Sequence, residues 1–516
     1  MYLQYAAYRL PVCRKIISMN PVFYNRLLFI LNCFYPCKAG LFTVHIKANT
    51  MHIQNNDSSA RPIQKGSAHL FGISLIAALA GFIFGFDTVV ISGANQPIKE
   101  LWHTTEISPW FHGFFIMSMA LWGTVVGAVF GGTPTDKYGR KKVLLWVGIL
   151  FTVSALGSAF AGNPYTFSFF RFVGGLGIGV SSVAAPAYVS EISTPATRGR
   201  LVAMYQFNIV FGILIAFLSN YFLQGVGGAN DWRWMLGIMA VPSLIYTVMV
   251  FAIPESPRWL VAVKHDNATA KNVLARLGID NPDREIAAIS ESAEHEAGNS
   301  KKSLFNAKYK KIIWLAFFVA FFNQWLGINF ILYYAPEILE RAGLATKDSL
   351  LNSIAIGGTN LVFTFAGLYL IDRVGRKTLL IWGSFGYIIS LLLVAWAFYS
   401  GASADFLLVF LLLFVASHAM GQGAVIWVFI AEIFPNTIRG KGQSFGASIH
   451  WIFAAIITLI TPVFLDAGKG IFRDNPWPIF VFFAGMMVLQ LIWVLTKMPE
   501  TKGISLEELE KKLVEE

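Results

Sequence analysis

The feature that most restricts this chain is a series of twelve long apolar stretches, each near or above the roughly 20 residues that a helix needs to cross a bilayer's hydrocarbon core. They fall at about 69–93, 110–133, 142–162, 165–189, 201–224, 234–253, 311–335, 350–371, 378–399, 405–431, 442–465 and 475–497, numbered spans 1 to 12 in chain order. Lipid offers the backbone no water to bond, so each stretch has to be a helix that satisfies its own amides. Only 13% of the residues are charged and 55% are apolar, whereas a water-solvated domain carries about 25% charge. The expected fold class is an all-α membrane protein of twelve transmembrane helices.

The loops orient these helices. Lys137, Arg140, Lys141 and Lys142 lie between spans 2 and 3, Arg198 and Arg200 between 4 and 5, Arg373, Arg376 and Lys377 between 8 and 9, and Arg439 and Lys441 between 10 and 11. These alternate loops share one side, which the positive-inside rule makes cytoplasmic, and an even number of spans then puts both termini there too. The net charge of +11 is thereby explained by topology, without nucleic acid. A polar stretch over 260–308 reads as short cytoplasmic amphipathic helices joining two six-span halves, 68–259 and 309–498, and 499–516 reads as a cytoplasmic tail. The sequon at Asn267 lies on this cytoplasmic side and is expected to stay unmodified. Residues 1–67 form an unstructured lead, and translation is expected to begin at Met51, because no signal-peptide cleavage site follows the short apolar run over 22–34. Cys13, Cys33 and Cys37 all precede the membrane region, so neither a disulfide framework nor a metal cluster is expected in the body.

The two halves repeat each other. Asp136-Lys-Tyr-Gly-Arg140-Lys141 after span 2 returns as Asp372-Arg-Val-Gly-Arg376-Lys377 after span 8, roughly 240 residues later. Glu191-Ile192 through Arg198-Gly199 returns as Glu432-Ile433 through Arg439-Gly440, and Pro254-Glu255-Ser256 returns as Pro499-Glu500-Thr501. Duplicated halves with a site between them are the architecture of alternating access, in which one half rocks against the other. The loop charges fit that motion. Asp136, Arg140, Glu191 and Arg198, mirrored by Asp372, Arg376, Glu432 and Arg439, are candidates for a cytoplasmic gate of ion pairs across helix ends. Topology alone explains the cations but not the recurring acids, which contribute little to orientation.

Two ionisable residues interrupt otherwise apolar helices, Asp87 in span 1 and Arg171 in span 4. Such residues are costly at membrane depth and mark function by default. At 1.5 Å per residue Asp87 lies about 25 Å along an outward-running span 1, and Arg171 roughly 9 Å below the outer surface, so the two can pair. A carboxylate held ionised by Arg⁺ can accept a proton once its partner or its water access changes, which is the chemistry of proton coupling.

At these residues the chain resembles a known family. Gly85-Phe86-Asp87-Thr88 through Ser92-Gly93, the Asp136–Arg140 loop, Pro254-Glu255-Ser256-Pro257-Arg258-Trp259, Gly327-Ile328-Asn329 with Tyr333-Tyr334-Ala335-Pro336, Glu432-Ile433-Phe434-Pro435 and Pro499-Glu500-Thr501-Lys502-Gly503 are similar to the signatures of the sugar porters of the major facilitator superfamily. The resemblance covers about 68–505 and implies the major facilitator fold, with a sugar site near the membrane midplane formed mostly by the second half. Its substrate residues are expected at Gln206, Asn323, Gln324, Asn329, Asn360, Trp427, His450 and Trp451. Amides both donate and accept, as sugar hydroxyls require, and an indole offers a flat face to a pyranose. Asp87 resembles the acid of the proton-coupled members, among them the bacterial xylose-proton symporters.

Some positions depart from the family pattern. Asn323 stands where many relatives have Gln, and Trp325-Leu326 replaces a smaller pair. His450 replaces an amide, and Gln422, Ala424 and Ile426 occupy places often held by proline, which puts the identity of the sugar and the flexibility of span 10 in question. His418 and His450 are candidates for titration near neutrality, or for bonding a neighbouring helix and the sugar respectively.

Other motifs carry less. Gly174 to Gly179 mimics a dinucleotide loop, yet it lies inside span 4 with no strand before it, and Gly123, Gly127 and Gly131 read as helix-packing surface. No P-loop or nucleophile elbow is found, so the expectation is a transporter and not an enzyme, with no cofactor. Monosaccharide, proton and the lipid bilayer are its expected partners, nucleic acid is not, and it is expected to function as a monomer in a bacterial inner membrane. A sugar uniporter and a non-transporting sugar receptor on the same fold are the alternatives.

Overall fold

The computed structural model describes residues 65–515 of the 516, apart from 300–302, 436 and 505. Almost all of the lead over 1–67, the start at Met51 and the three cysteines lie outside the described residues. Twelve helices among the described residues are long and apolar enough to cross a membrane. They are His69–Trp102, Pro109–Phe130, Arg140–Ala159, Pro164–Ile192, Thr197–Leu223 and Gly228–Ala252 in the first half, then Ala307–Arg341, Thr346–Val374, Arg376–Ser400, Ala404–Ile433, Arg439–Leu465 and Trp477–Thr496 in the second.

Every expected span is present, and two run well past their expected ends. Span 1 continues to Trp102 and span 7 to Arg341, beyond the boundaries at 93 and 335. Asn95, Lys99 and Glu337 interrupt the hydropathy there, but the protein interior takes them up: Asn95 is 2% and Lys99 8% exposed, so lipid never meets them. Span 4 illustrates how the helices begin. The Asn163 side chain accepts the Thr166 N–H at 2.9 Å and Pro164 supplies a fixed φ at the first helical position.

The packing repeats with the sequence. Span 1 packs on 5, 2 on 4, 3 on 4 and 3 on 6 in the first half, and 7 on 11, 8 on 10, 9 on 10 and 9 on 12 in the second. The halves meet where span 2 touches 11, span 5 touches 8 and span 1 touches 7. Spans 2 and 4 come together on glycine: a Cβ at Gly123 would run into the Phe172 carbonyl, and one at Gly175 into the Ala120 carbonyl. That backbone approach explains the glycine run of span 4 as small-residue packing.

Helices Pro257–Ala262, Asn267–Arg276 and Pro282–Asn299 fill the polar stretch between the halves. Asp266 caps the second of them by accepting the Thr269 N–H at 2.9 Å. The tail folds back as a helix, Leu506–Glu510, and Leu509 and Leu513 are buried in the apolar cluster of the second half.

Candidate functional site

The two intramembrane charges meet. Arg171 Nη1 lies 2.5 Å from Asp87 Oδ1, and Nη2 donates to the backbone carbonyl of Asp87 at 3.2 Å. Both side chains are almost fully buried. A pair this deep persists because removing either partner would strand a charge in low dielectric. Asp87 Oδ2 nevertheless has no hydrogen-bond partner, and neither does Arg171 Nε. One carboxylate oxygen is therefore committed to the guanidinium while the other is buried without a partner.

The amides gather where span 7 breaks. One helix ends at Trp325, Gly327 takes φ +91°, and a second helix starts at Ile328. A side chain at Gly327 would be strained by that φ and would press within 2.8 Å of the Phe483 ring. The break brings Asn329 Nδ2 to Gln324 Oε1 at 2.7 Å, while Gln324 Nε2 donates to Asn323 Oδ1 at 3.0 Å and lies 3.1 Å from His450 Nδ1. Indoles flank His450, with ring centroids 4.9 Å away for Trp427 and 4.7 Å for Trp451. Phe84 of span 1 reaches Trp451 at 5.5 Å across the interface between halves. Gln206 on span 5 and the buried Asn360 on span 8 are not hydrogen-bonded into this cluster. His418 is buried with Nδ1 unpartnered, so the bond to a neighbouring helix expected of it is not made through that atom.

Span 10 is interrupted although its proline positions are replaced. Gly421, at φ −90° and ψ −101°, separates Ala404–Met420 from Gln422–Ile433. The amide freed at the break is satisfied: Gln422 N–H donates to Tyr387 OH at 2.9 Å.

At the basic face the repeated charges form two matching sets, each closed within its own half. Arg140 lies 2.9 Å from Glu191 and 3.2 Å from Asp136, and Ser256 Oγ donates to Glu191 at 2.5 Å. In the second half Arg376 lies 2.7 Å from Glu432 and 3.3 Å from Asp372, and Thr501 Oγ1 donates to Glu432 at 2.6 Å. Arg198 is exposed, and Arg439 Nε donates to the Phe434 carbonyl at 3.4 Å. Glu500 is pushed up by burial, but the N–H groups of Lys502, Arg376, Lys377 and Thr501 outweigh this and hold its carboxyl below the ordinary value.

At the opposite face the sequence reading missed a network that does join the halves. Lys99 Nζ of span 1 lies 2.7 Å from Glu337 Oε1 of span 7 and 3.4 Å from Asp466 Oδ2 at the end of span 11. Asn95 Nδ2 donates to Glu337 Oε2 at 2.7 Å, and Asn95 Oδ1 lies 2.7 Å from His112 Nε2. The available signal was Lys99 and Glu337 at helical spacing beyond apolar runs, which looks like a loop until the partner half is present.

A model of the family described as "Sugar (and other) transporter" matches residues 73–513. The chain is 32% identical over 483 residues to the D-xylose-proton symporter of Escherichia coli (strain K12), covering 87% of this chain and 96% of that one. It is 34% identical over 446 residues to the arabinose-proton symporter of Bacillus subtilis (strain 168), covering 85% and 94%. The inward-open conformation of the xylose transporter XylE from E. coli superposes with a TM-score of 0.76 at 30% identity, covering 86% of this chain and 100% of that structure.

Proposed function

The chain belongs to the sugar transporter family, and from that membership we propose that it imports a monosaccharide, a pentose or a hexose such as xylose or glucose, together with a proton by alternating access. The observation that carries the reading is the buried Asp87–Arg171 pair with one carboxylate oxygen unpartnered. The neighbourhood of that pair supports coupling. Phe84, one helical turn before Asp87, has its ring against Trp451, so a shift of span 1 on protonation is felt where the sugar is held. Tyr333 of span 7 is buried within electrostatic reach of both charges, which gives the second half a direct view of the proton.

In this reading Asn323, Gln324, Asn329 and His450 trade their mutual hydrogen bonds for sugar hydroxyls, with Gln206 and Asn360 joining as the halves close. Trp427 and Trp451 supply flat faces. The triads around Glu191 and Glu432 gate the basic face, together with Arg198 and Arg439. That face is the cytoplasmic one, so both termini, the helical linker and the tail lie inside. The protein makes and breaks no covalent bond, needs no cofactor, and works as a monomer in a bacterial inner membrane.

Uptake of a panel of labelled sugars into proteoliposomes, with and without an inward proton gradient, tests this. At least one pentose or hexose should accumulate above its external concentration only when the gradient is present. Equilibration without accumulation for every sugar would leave a uniporter, and binding without uptake a receptor.

A further inference from the structure

We propose that the outer mouth of this transporter is held shut by a buried ionic latch, in which Lys99 of the first half is clamped between Glu337 and Asp466 of the second. The proposal rests on the alternating-access part of the reading above, but not on which sugar is carried or on proton coupling.

The geometry separates a latch from an incidental surface pair. Lys99 is 8% exposed, and its side-chain partners Glu337 and Asp466 are 12% and 7% exposed. An exposed lysine–carboxylate contact contributes little. Three charges withdrawn from water are different, because each is tolerated only while the others are in place. Each carboxylate oxygen has a partner. Asp466 Oδ1 accepts the backbone N–H groups of Gly468 and Lys469 at 3.0 and 2.9 Å, which leaves Oδ2 for Lys99. Glu337 divides its oxygens between Lys99 and Asn95.

Asn95 also fixes a direction. Its Nδ2 is used on Glu337, so its Oδ1 faces His112 and must accept from Nε2–H. His112 Nδ1 lies 2.7 Å from Thr104 Oγ1, which completes a chain running from the start of span 2 to the carboxylate of span 7. A second bridge crosses nearby: Lys469 Nζ donates to the Glu106 carbonyl at 2.5 Å, joining the loop after span 11 to the loop after span 1.

The latch has a transport consequence. When the outer mouth opens, span 1 leaves spans 7 and 11, and Lys99, Glu337 and Asp466 regain water. The closed state is thus held by mutual compensation of buried charges and not by net attraction alone. Deleting Lys99 alone should force the mouth open, because two like charges are left facing each other in a dry site. Neutralising all three should let it close again.

Hydrogen exchange of the full chain in lipid nanodiscs, without sugar, reads this directly. In Lys99→Met, peptides carrying residues 99, 337 and 466 should exchange about fivefold faster or more, while peptides carrying Glu191 and Glu432 keep the native rate. The triple variant Lys99→Met, Glu337→Gln, Asp466→Asn should return the outer peptides to within about twofold of native. Native exchange at the outer peptides in Lys99→Met, or a triple variant as open as the single, would overturn the latch. Should Lys99→Met fail to fold, the double variant Glu337→Gln, Asp466→Asn carries the test: it strands Lys99 without an anion, and unchanged outer exchange there overturns the proposal equally. Since no sugar or gradient enters the measurement, its failure is distinct from failure of the symport reading.

Discussion

The two mouths of the molecule use the same residue types in opposite ways. At the basic face, Arg140 with Glu191 and Arg376 with Glu432 each tie helix ends inside one half, and the two sets are copies. At the other face, Lys99 with Glu337 and Asp466 crosses from one half to the other. The repeated charges therefore link helix ends within a bundle, whereas the Lys99 network connects the bundles. In the rocking mechanism proposed above, the second kind has to break as the halves separate at that face.

The largest effect that could sharpen this comparison is at Asp87, which sits between the mouths. Asp87→Asn should abolish accumulation above equilibrium in proteoliposomes while sugar exchange persists; a variant that still concentrates sugar would detach the buried pair from coupling. Next in size are the intra-half arginines. Arg140→Ala and Arg376→Ala each strand a largely buried glutamate, and should cost about 2–3 kcal/mol in unfolding measurements, discounted from a fully buried pair. The comparison breaks if either substitution speeds hydrogen exchange at the outer peptides as much as Lys99→Met does.

Gln324→Ala should raise the half-saturation concentration for sugar about tenfold, near 1.4 kcal/mol, by removing the amide that links Asn323, Asn329 and His450. An unchanged half-saturation would take Gln324 out of the site. Acid supplies a smaller test at the basic face. The native carboxyl of Glu500 is held below its ordinary 4.5, so its contribution to stability is complete above that pH and is lost as pH falls through the lower native value. Glu500→Gln should accordingly be less stable than the native chain at neutral pH, with the gap narrowing in acid; a gap that widens in acid contradicts the assignment. Smallest of all is Lys271 in the linker, whose 2.7 Å pair with Asp283 is more than half exposed on both sides. Lys271→Ala should change stability by less than about 0.5 kcal/mol.

What could be read from the sequence follows the same division. Apolar runs give the spans because lipid enforces them locally, and the repeated motifs give the halves because duplication is visible without coordinates. Asp87 and Arg171 stand out as lone charges inside apolar helices, and their similar depth makes a pair possible, which the structure shows. Asn323, Gln324, Asn329 and His450 were reachable through family resemblance, but their mutual bonds depend on the unwound turn at Gly327, which periodicity does not encode. Lys99, Glu337 and Asp466 were missed for a further reason. A lysine after an apolar run is indistinguishable from a loop residue until a carboxylate from a distant helix covers it, and that information is tertiary. The break in span 10 was similar: the replaced prolines drew attention, while Gly421 one position before Gln422 carries the interruption.

One bond in the buried pair has a wider consequence. Arg171 holds the peptide oxygen of Asp87 as well as its carboxylate, and a peptide oxygen does not titrate. In the coupling proposed above, neutralising the carboxyl would leave the guanidinium moored to the same residue, so the return leg of that cycle would begin from a cation already in register. On that proposal, recovery of the empty carrier would require no search for a lost partner, only departure of the proton.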